Sequence, residues 1–179
     1  MILNEDLTDG QVFGRLLFQP GLSAMAKAFD GKPKKVRLEA GATLFRLTTL
    51  ADGFIFAGVW WMSRHTYDGL LNAAKGDKVQ LLKLARNHLA IKMGWSPGMR
   101  AIIQVRLKRP VFAWVGPARQ QKETSAGLKH ITWTGGAEQI YLPNLADPNH
   151  RGTSLHAAIE HTYSINVDYE WRSDPEFAG

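Results

Sequence analysis

The hydrophobic pattern of this 179-residue chain changes period several times along its length. From Val36 the repeat is two: Val36, Leu38 and Ala40 alternate with charged neighbours, Gly41 interrupts, and Thr43-Leu44-Phe45-Arg46-Leu47-Thr48 is rich in strand formers. A strand pair or one bent strand is expected there. After Ala51-Asp52-Gly53, residues 54–62 carry aromatic and β-branched side chains on both faces, the pattern of a central strand covered from two sides. Gly58 within it marks a bulge or the close approach of another group. The period then lengthens to that of a helix. Tyr67, Leu70, Leu71 and Ala74 share one face and Leu81, Leu82, Ala85 and Leu89 another, so two helices are predicted. Ser63 to Thr66 offers the first N-cap, Gly76-Asp77 separates the two, and Gly94 stands past the second.

Further on, 101–107 and 111–115 read as strands around Lys108-Arg109-Pro110, and the polar stretch 118–129 as a long exposed loop. Strands at 131–134 and 138–142 are expected to form a tight hairpin across Gly135-Gly136. A short helix is expected around 154–161, then an alternating strand through Ile165, Val167, Tyr169 and Trp171. Strands outnumber helices and cluster, which predicts an α+β, strand-rich single domain over 1–179. It divides into an N-terminal arm or short helices over 1–35, a core over 36–143, and a C-terminal loop, short helix and strand over 144–179.

Composition narrows the class. Hydrophobic residues at 45% and charged residues at 21% suit a globular chain that buries roughly two thirds of its unfolded surface. The absence of cysteine excludes a disulfide framework, a thiolate metal site and a cysteine nucleophile. No apolar run approaches the roughly 18–20 residues of a membrane span, and acids at Glu5 and Asp6 stand where a secretory signal carries lysines. The expectation is a cytoplasmic protein, or one exported without a cleavable signal peptide, with no membrane partner. A net charge of +6 favours anionic ligands, and its densest cluster is Lys32, Lys34, Lys35 and Arg37.

Familiar motifs for a serine nucleophile, a phosphate loop or a dinucleotide fingerprint are absent. His150, His156, Glu160 and His161 match no zinc-protease spacing, and no metal is assigned. Phe54, Phe56, Trp60, Trp61, Trp114, Trp133 and Tyr141, interleaved with Arg46, Arg64 and Arg106, form either a base-stacking platform or an aromatic core with surface arginines. Arg46 interrupts an apolar strand, where a guanidinium needs a carboxylate or a phosphate for its five donors. One reading is a structural ion pair. The other is a pyrophosphate site, completed by the small and aromatic residues of 56–63 and by Glu138-Gln139 near a ribose hydroxyl.

Leu44-Phe45-Arg46-Leu47, Gly58-Val59-Trp60-Trp61-Met62-Ser63 followed by a helix, and Glu138-Gln139-Ile140-Tyr141-Leu142-Pro143 together resemble the ADP-ribosyltransferase superfamily of the arginine–serine–glutamate type, over about 36–143. The resemblance implies a split β-sandwich with flanking helices that clamps NAD and cleaves its nicotinamide–ribose bond, by transfer to a protein or nucleic-acid acceptor or by hydrolysis. It implies that Arg46 addresses the pyrophosphate, that Trp61 or Tyr67 packs beside the nicotinamide with Tyr141 among the aromatic contacts, and that Ser63 braces the acid. Two departures stand out. The Ser-Thr-Ser triplet is missing, and alignment on Leu142-Pro143 places Gln139, not Glu138, at the catalytic glutamate. Glu138 acting through a one-residue bulge, Gln139 supporting a weaker chemistry, and binding without turnover all remain open. A different class, a non-catalytic basic module holding nucleic acid on aromatic strands and the Lys32–Arg37 cluster, is the alternative.

Overall fold

The computed structural model describes residues 2–9, 12, 28–49, 58–95, 98–143 and 158–178. Expectations for most of the N-terminal arm, for 50–57, and for 144–157, including His150, His156, Phe54 and Phe56, lie outside these residues. The strands are β1 (Lys34–Leu38), β2 (Thr43–Thr48), β3 (Trp60–Ser63), β4 (Ala101–Leu107), β5 (Val111–Pro117), β6 (Gln121–Lys122), β7 (Thr132–Trp133), β8 (Glu138–Tyr141) and β9 (Ile159–Asn166). Two helices, α1 (Arg64–Ala73) and α2 (Lys78–His88), follow β3, and a 3-10 turn spans Trp171–Ser173. The domain is α+β and strand-rich, as the clustering of strands predicts.

Seven strands join in the order β1-β5-β8-β3-β2-β4-β9, with antiparallel neighbours throughout. The junction in the middle is narrow. β2 pairs with β4 over six positions, from Thr43–Arg106 to Thr48–Ala101, but meets β3 at two positions only, Leu44–Ser63 and Phe45–Met62. Beyond these, β3 turns to β8 through Trp60–Tyr141 and Trp61–Ile140. The sheet thus parts into two blocks, and Arg46 lies on one lip of the opening with Trp60 and Trp61 on the other.

Alternation along β2 and β3 sorts the core onto two faces. Phe45, Leu47 and Met62 pack with Tyr67, Leu70, Leu81 and Leu82 of the helices. Leu44, Trp61, Ile103, Val105 and Ile140 form a second cluster on the opposite face. The helices are capped as their sequences require. Ser63 Oγ accepts from the Thr66 N–H at 3.1 Å, and Asp77 accepts from the Gln80 N–H at 3.0 Å. α2 ends in paired return bonds, Ile91 N–H to Arg86 O at 3.0 Å and Ala90 N–H to Asn87 O at 3.1 Å, with Ala90 at φ +51° where glycine is the usual occupant.

Both helices and the break between them match the periodicity, whereas several pairings do not. β1 and β2 are not partners: β1 edges the sheet against β5, while β2 sits near its centre. The hairpin expected across Gly135-Gly136 is absent, because β7 pairs with β6 and β8 is drawn between β5 and β3. Gly135 and Gly136 take φ of +68° and +89° to make that separation, and the Gly136 N–H donates to Ala118 O at 2.8 Å. The exposed loop expected over 118–129 instead contains β6 and two buried residues, Ala118 and Glu123. The helix expected to reach His161 gives way to β9 from Ile159, because the edge of β4 offers seven backbone positions to pair with.

Candidate active-site cleft

A cavity of about 360 Å³ opens where β2 and β3 part. Phe45, Arg46 and Leu47 line it from β2, Gly58 to Trp61 from the segment entering β3, and Gln139 from β8. Leu89, Ala90, Ile91, Trp95 and Met99, between α2 and β4, form the facing wall, and Ala28, Arg119 and Gln121 complete the rim. The wall is apolar and aromatic with few polar groups, the usual make-up of a site for an organic ligand.

Arg46 is the centre of this arrangement. Its guanidinium lies across Gly58, so closely that a Cβ at residue 58 would sit 1.8 Å from Cζ. The same Cζ is 5.8 Å from the centroid of the Trp61 ring. Burial pushes the Arg46 guanidinium down to about 10, still fully charged at neutral pH. Gly58 thus marks a close approach, as its place in the sequence suggests, and the group that approaches is the cation of the neighbouring strand. Trp61, 2% exposed, has an indole N–H that finds no hydrogen-bond acceptor among the described residues.

Of the paired candidates on β8, Gln139 is the one in the cleft. It is buried opposite Gly116, and its Nε2 donates to Ala28 O at 2.8 Å, which leaves the amide oxygen as the acceptor. Glu138 is exposed, opposite Pro117, and its backbone carbonyl accepts from Thr66 Oγ1 at 3.2 Å. The β8 register runs unbroken against β5, so no bulge exchanges the two side chains.

The remaining sequence candidates stand behind the lining. Ser63 caps α1, and its hydroxyl donates to Thr66 Oγ1 at 3.2 Å, so any link to β8 runs through Thr66. Tyr67 stacks on Phe45 with centroids 3.9 Å apart and planes 2° off parallel, backing a residue that does line the cavity. Burial raises the Tyr67 and Tyr141 phenols. Tyr141 packs on Trp60 at 4.8 Å. Arg119, Trp95 and the α2 C-terminus were not legible as site residues, because no motif links them to Arg46 and only the fold brings them opposite it.

Part of what the nucleic-acid alternative draws on is engaged within the fold, although the Lys32 and Arg37 side chains stay exposed. Lys32 pairs with Asp9 at 3.1 Å, Lys35 donates to Glu5 O and Leu7 O at 2.7 Å each, and Arg37 pairs with Glu39 at 3.2 Å. Trp61, Trp114, Trp133 and Tyr141 are buried. Glu160 pairs with Arg106 at 2.8 Å and His161 meets Ser164 Oγ at 2.8 Å, and no cluster of three or more His, Asp or Glu side chains placed to share a metal occurs among the described residues.

No family model matches this chain, and no curated protein matches it. Among solved structures it is similar to Rhs1-CT, determined in complex with its cognate immunity protein RhsI1, at 20% identity over 75% of this chain and 81% of that one, with a TM-score of 0.48. It is similar also to Tne2, determined in complex with Tni2, at 14% identity over 80% of this chain and 99% of that one, with a TM-score of 0.45. The chemistry of the cleft is therefore read from its own residues.

Proposed function

We propose that the cleft binds NAD and that the protein breaks the nicotinamide–ribose bond, passing the ADP-ribosyl group to water or to a macromolecular acceptor. The observation that carries this reading is the Arg46 guanidinium laid across Gly58 at the lip of an aromatic cleft. A half-buried planar cation beside apolar walls suits a pyrophosphate flanked by flat rings, and guanidinium binds such oxyanions in forked pairs. Phe45, Trp60 and Trp61 give the nicotinamide ring a water-poor surface.

In the reaction the C1′–N bond breaks and its electron pair goes to the pyridinium nitrogen, leaving neutral nicotinamide and an oxocarbenium-like ribose. A water or an acceptor hydroxyl then adds at C1′ and releases its proton. Gln139, through its amide oxygen, accepts from a ribose hydroxyl and fixes the sugar. It brings no negative charge to the developing cation, so orientation and exclusion of water carry more of the rate than in a site with a carboxylate.

The test separates binding from turnover. Calorimetry with a carbocyclic NAD analogue, whose nicotinamide linkage resists hydrolysis, is expected to show binding to the wild-type protein and none to Arg46→Ala. Undiminished affinity in that variant sinks the assignment. Nicotinamide release from NAD is expected to fall by roughly one to two orders of magnitude in Gln139→Ala, with analogue affinity lowered by no more than about tenfold through the lost ribose contact.

A further inference from the structure

Trp95 is 49% exposed, and the other large hydrophobic residue comparably exposed among those described, Tyr163, does not line the cavity. Leaving an indole half in water forfeits burial energy that a mobile side chain could recover by folding back, yet the base of Trp95 is held still. Its N–H donates to Lys92 O at 3.2 Å, and the preceding Met93 N–H donates to the Glu123 carboxylate at 2.7 Å. Gly94 lies under Ser125, whose Oγ would be 2.2 Å from a Cβ there. Lys92 Nζ, itself bound to Thr124 Oγ1 at 2.9 Å, lies 5.6 Å from the indole centroid. The result is a flat aromatic surface at the cleft opening, carried on a backbone that is anchored on both sides of Gly94.

The cavity volume lies at the small end of the roughly 300–1,000 Å³ found for ligand pockets, room for one half of a dinucleotide. The reacting half must be the enclosed one, since its bond is to be cleaved away from bulk water. We infer that Trp95 is the outer stacking platform, and that the adenine ring of the dinucleotide lies on it while the nicotinamide half occupies the cavity. This inference rests on the NAD reading above and adds to it a binding residue for the unreactive end.

Calorimetry on the full chain with two carbocyclic probes, the NAD analogue and the nicotinamide mononucleotide analogue that lacks adenosine, tests it. Trp95→Ala is expected to weaken the dinucleotide probe by about tenfold or more, in line with the loss of one base stack, and to weaken the mononucleotide probe far less. Trp95→Phe, which keeps a flat ring, is expected to restore most of the affinity, and this rescue excludes a folding defect. Equal weakening of both probes, or no weakening of either, overturns the inference while Arg46→Ala still abolishes binding. If Arg46→Ala leaves binding intact, the NAD reading itself falls and takes the inference with it.

Discussion

At Gly58 the whole side chain is a single hydrogen, and that is what lets Arg46 reach across it. The atoms a Cβ would strike belong to the far end of a flexible side chain rather than to backbone. Gly58→Ala is therefore expected to displace the guanidinium and abolish ligand binding while changing stability by no more than about 1 kcal/mol, as denaturant titration beside calorimetry will show. Ala90 presents the opposite case. It holds φ +51° at the C-terminal cap of α2, in a region that costs an L-residue roughly 1 kcal/mol. Ala90→Gly is expected to raise stability by about 0.5–1 kcal/mol, read as a rise in unfolding midpoint. The sequence made Arg46 legible because a cation interrupts an apolar run. The choice between Glu138 and Gln139 was not legible, since adjacent strand residues diverge and only the pairing of β8 with β5 and β3 says which one enters the cleft.

At the scale of elements, α1 begins at a single hydroxyl. Ser63→Ala is expected to cost about 1 kcal/mol through the lost cap, with affinity for the carbocyclic analogue kept at temperatures where the variant is folded. A large loss of affinity in the folded variant would restore a direct part for Ser63 in the site. Helix periodicity is a local signal, and for that reason Tyr67, Leu70, Leu81, Leu82 and Ala85 announced both helices and their buried faces. Strand pairing is not local. Residues 34–38 and 43–48 are neighbours in sequence and look like a hairpin, but the β5 edge takes the first and the β4 edge the second. Likewise Glu123 lies in a polar run, and nothing in that run shows that it will be buried. Two of its partners, Met93 and Trp133, come from other segments.

Across the whole molecule, two carboxylates fasten segments distant in sequence. Burial opposes the charge on Glu123, but hydrogen bonds from Ser125, Trp133 and the Met93 N–H outweigh it and hold the carboxyl down to about 2. Asp174 is held near 2 by Lys83, at 2.7 Å, and by the Tyr169 hydroxyl, an arrangement that docks the C-terminal segment on α2. Both folded values lie below the ordinary carboxylate range. The stability they confer is complete above pH about 4.5 and drains away as pH falls towards about 2, when the folded protein too takes up the protons. Denaturant midpoints measured between pH 7 and about 2 are expected to fall in that window. Glu123→Gln is expected to be less stable at neutral pH by about 3 kcal/mol and to show a shallower acid slope.

The two-pair junction between β2 and β3 bears on more than the shape of the cleft. Where six rungs clasp β2 to β4, two clasp it to β3, so few backbone pairs hold the sheet along the line that a ligand would bridge. An occupant touching both lips acts as added stitching, and amide hydrogen exchange at 44–45 and 62–63 is expected to slow several-fold when the carbocyclic analogue is bound. Filling the cleft and stiffening the sheet are then the same event.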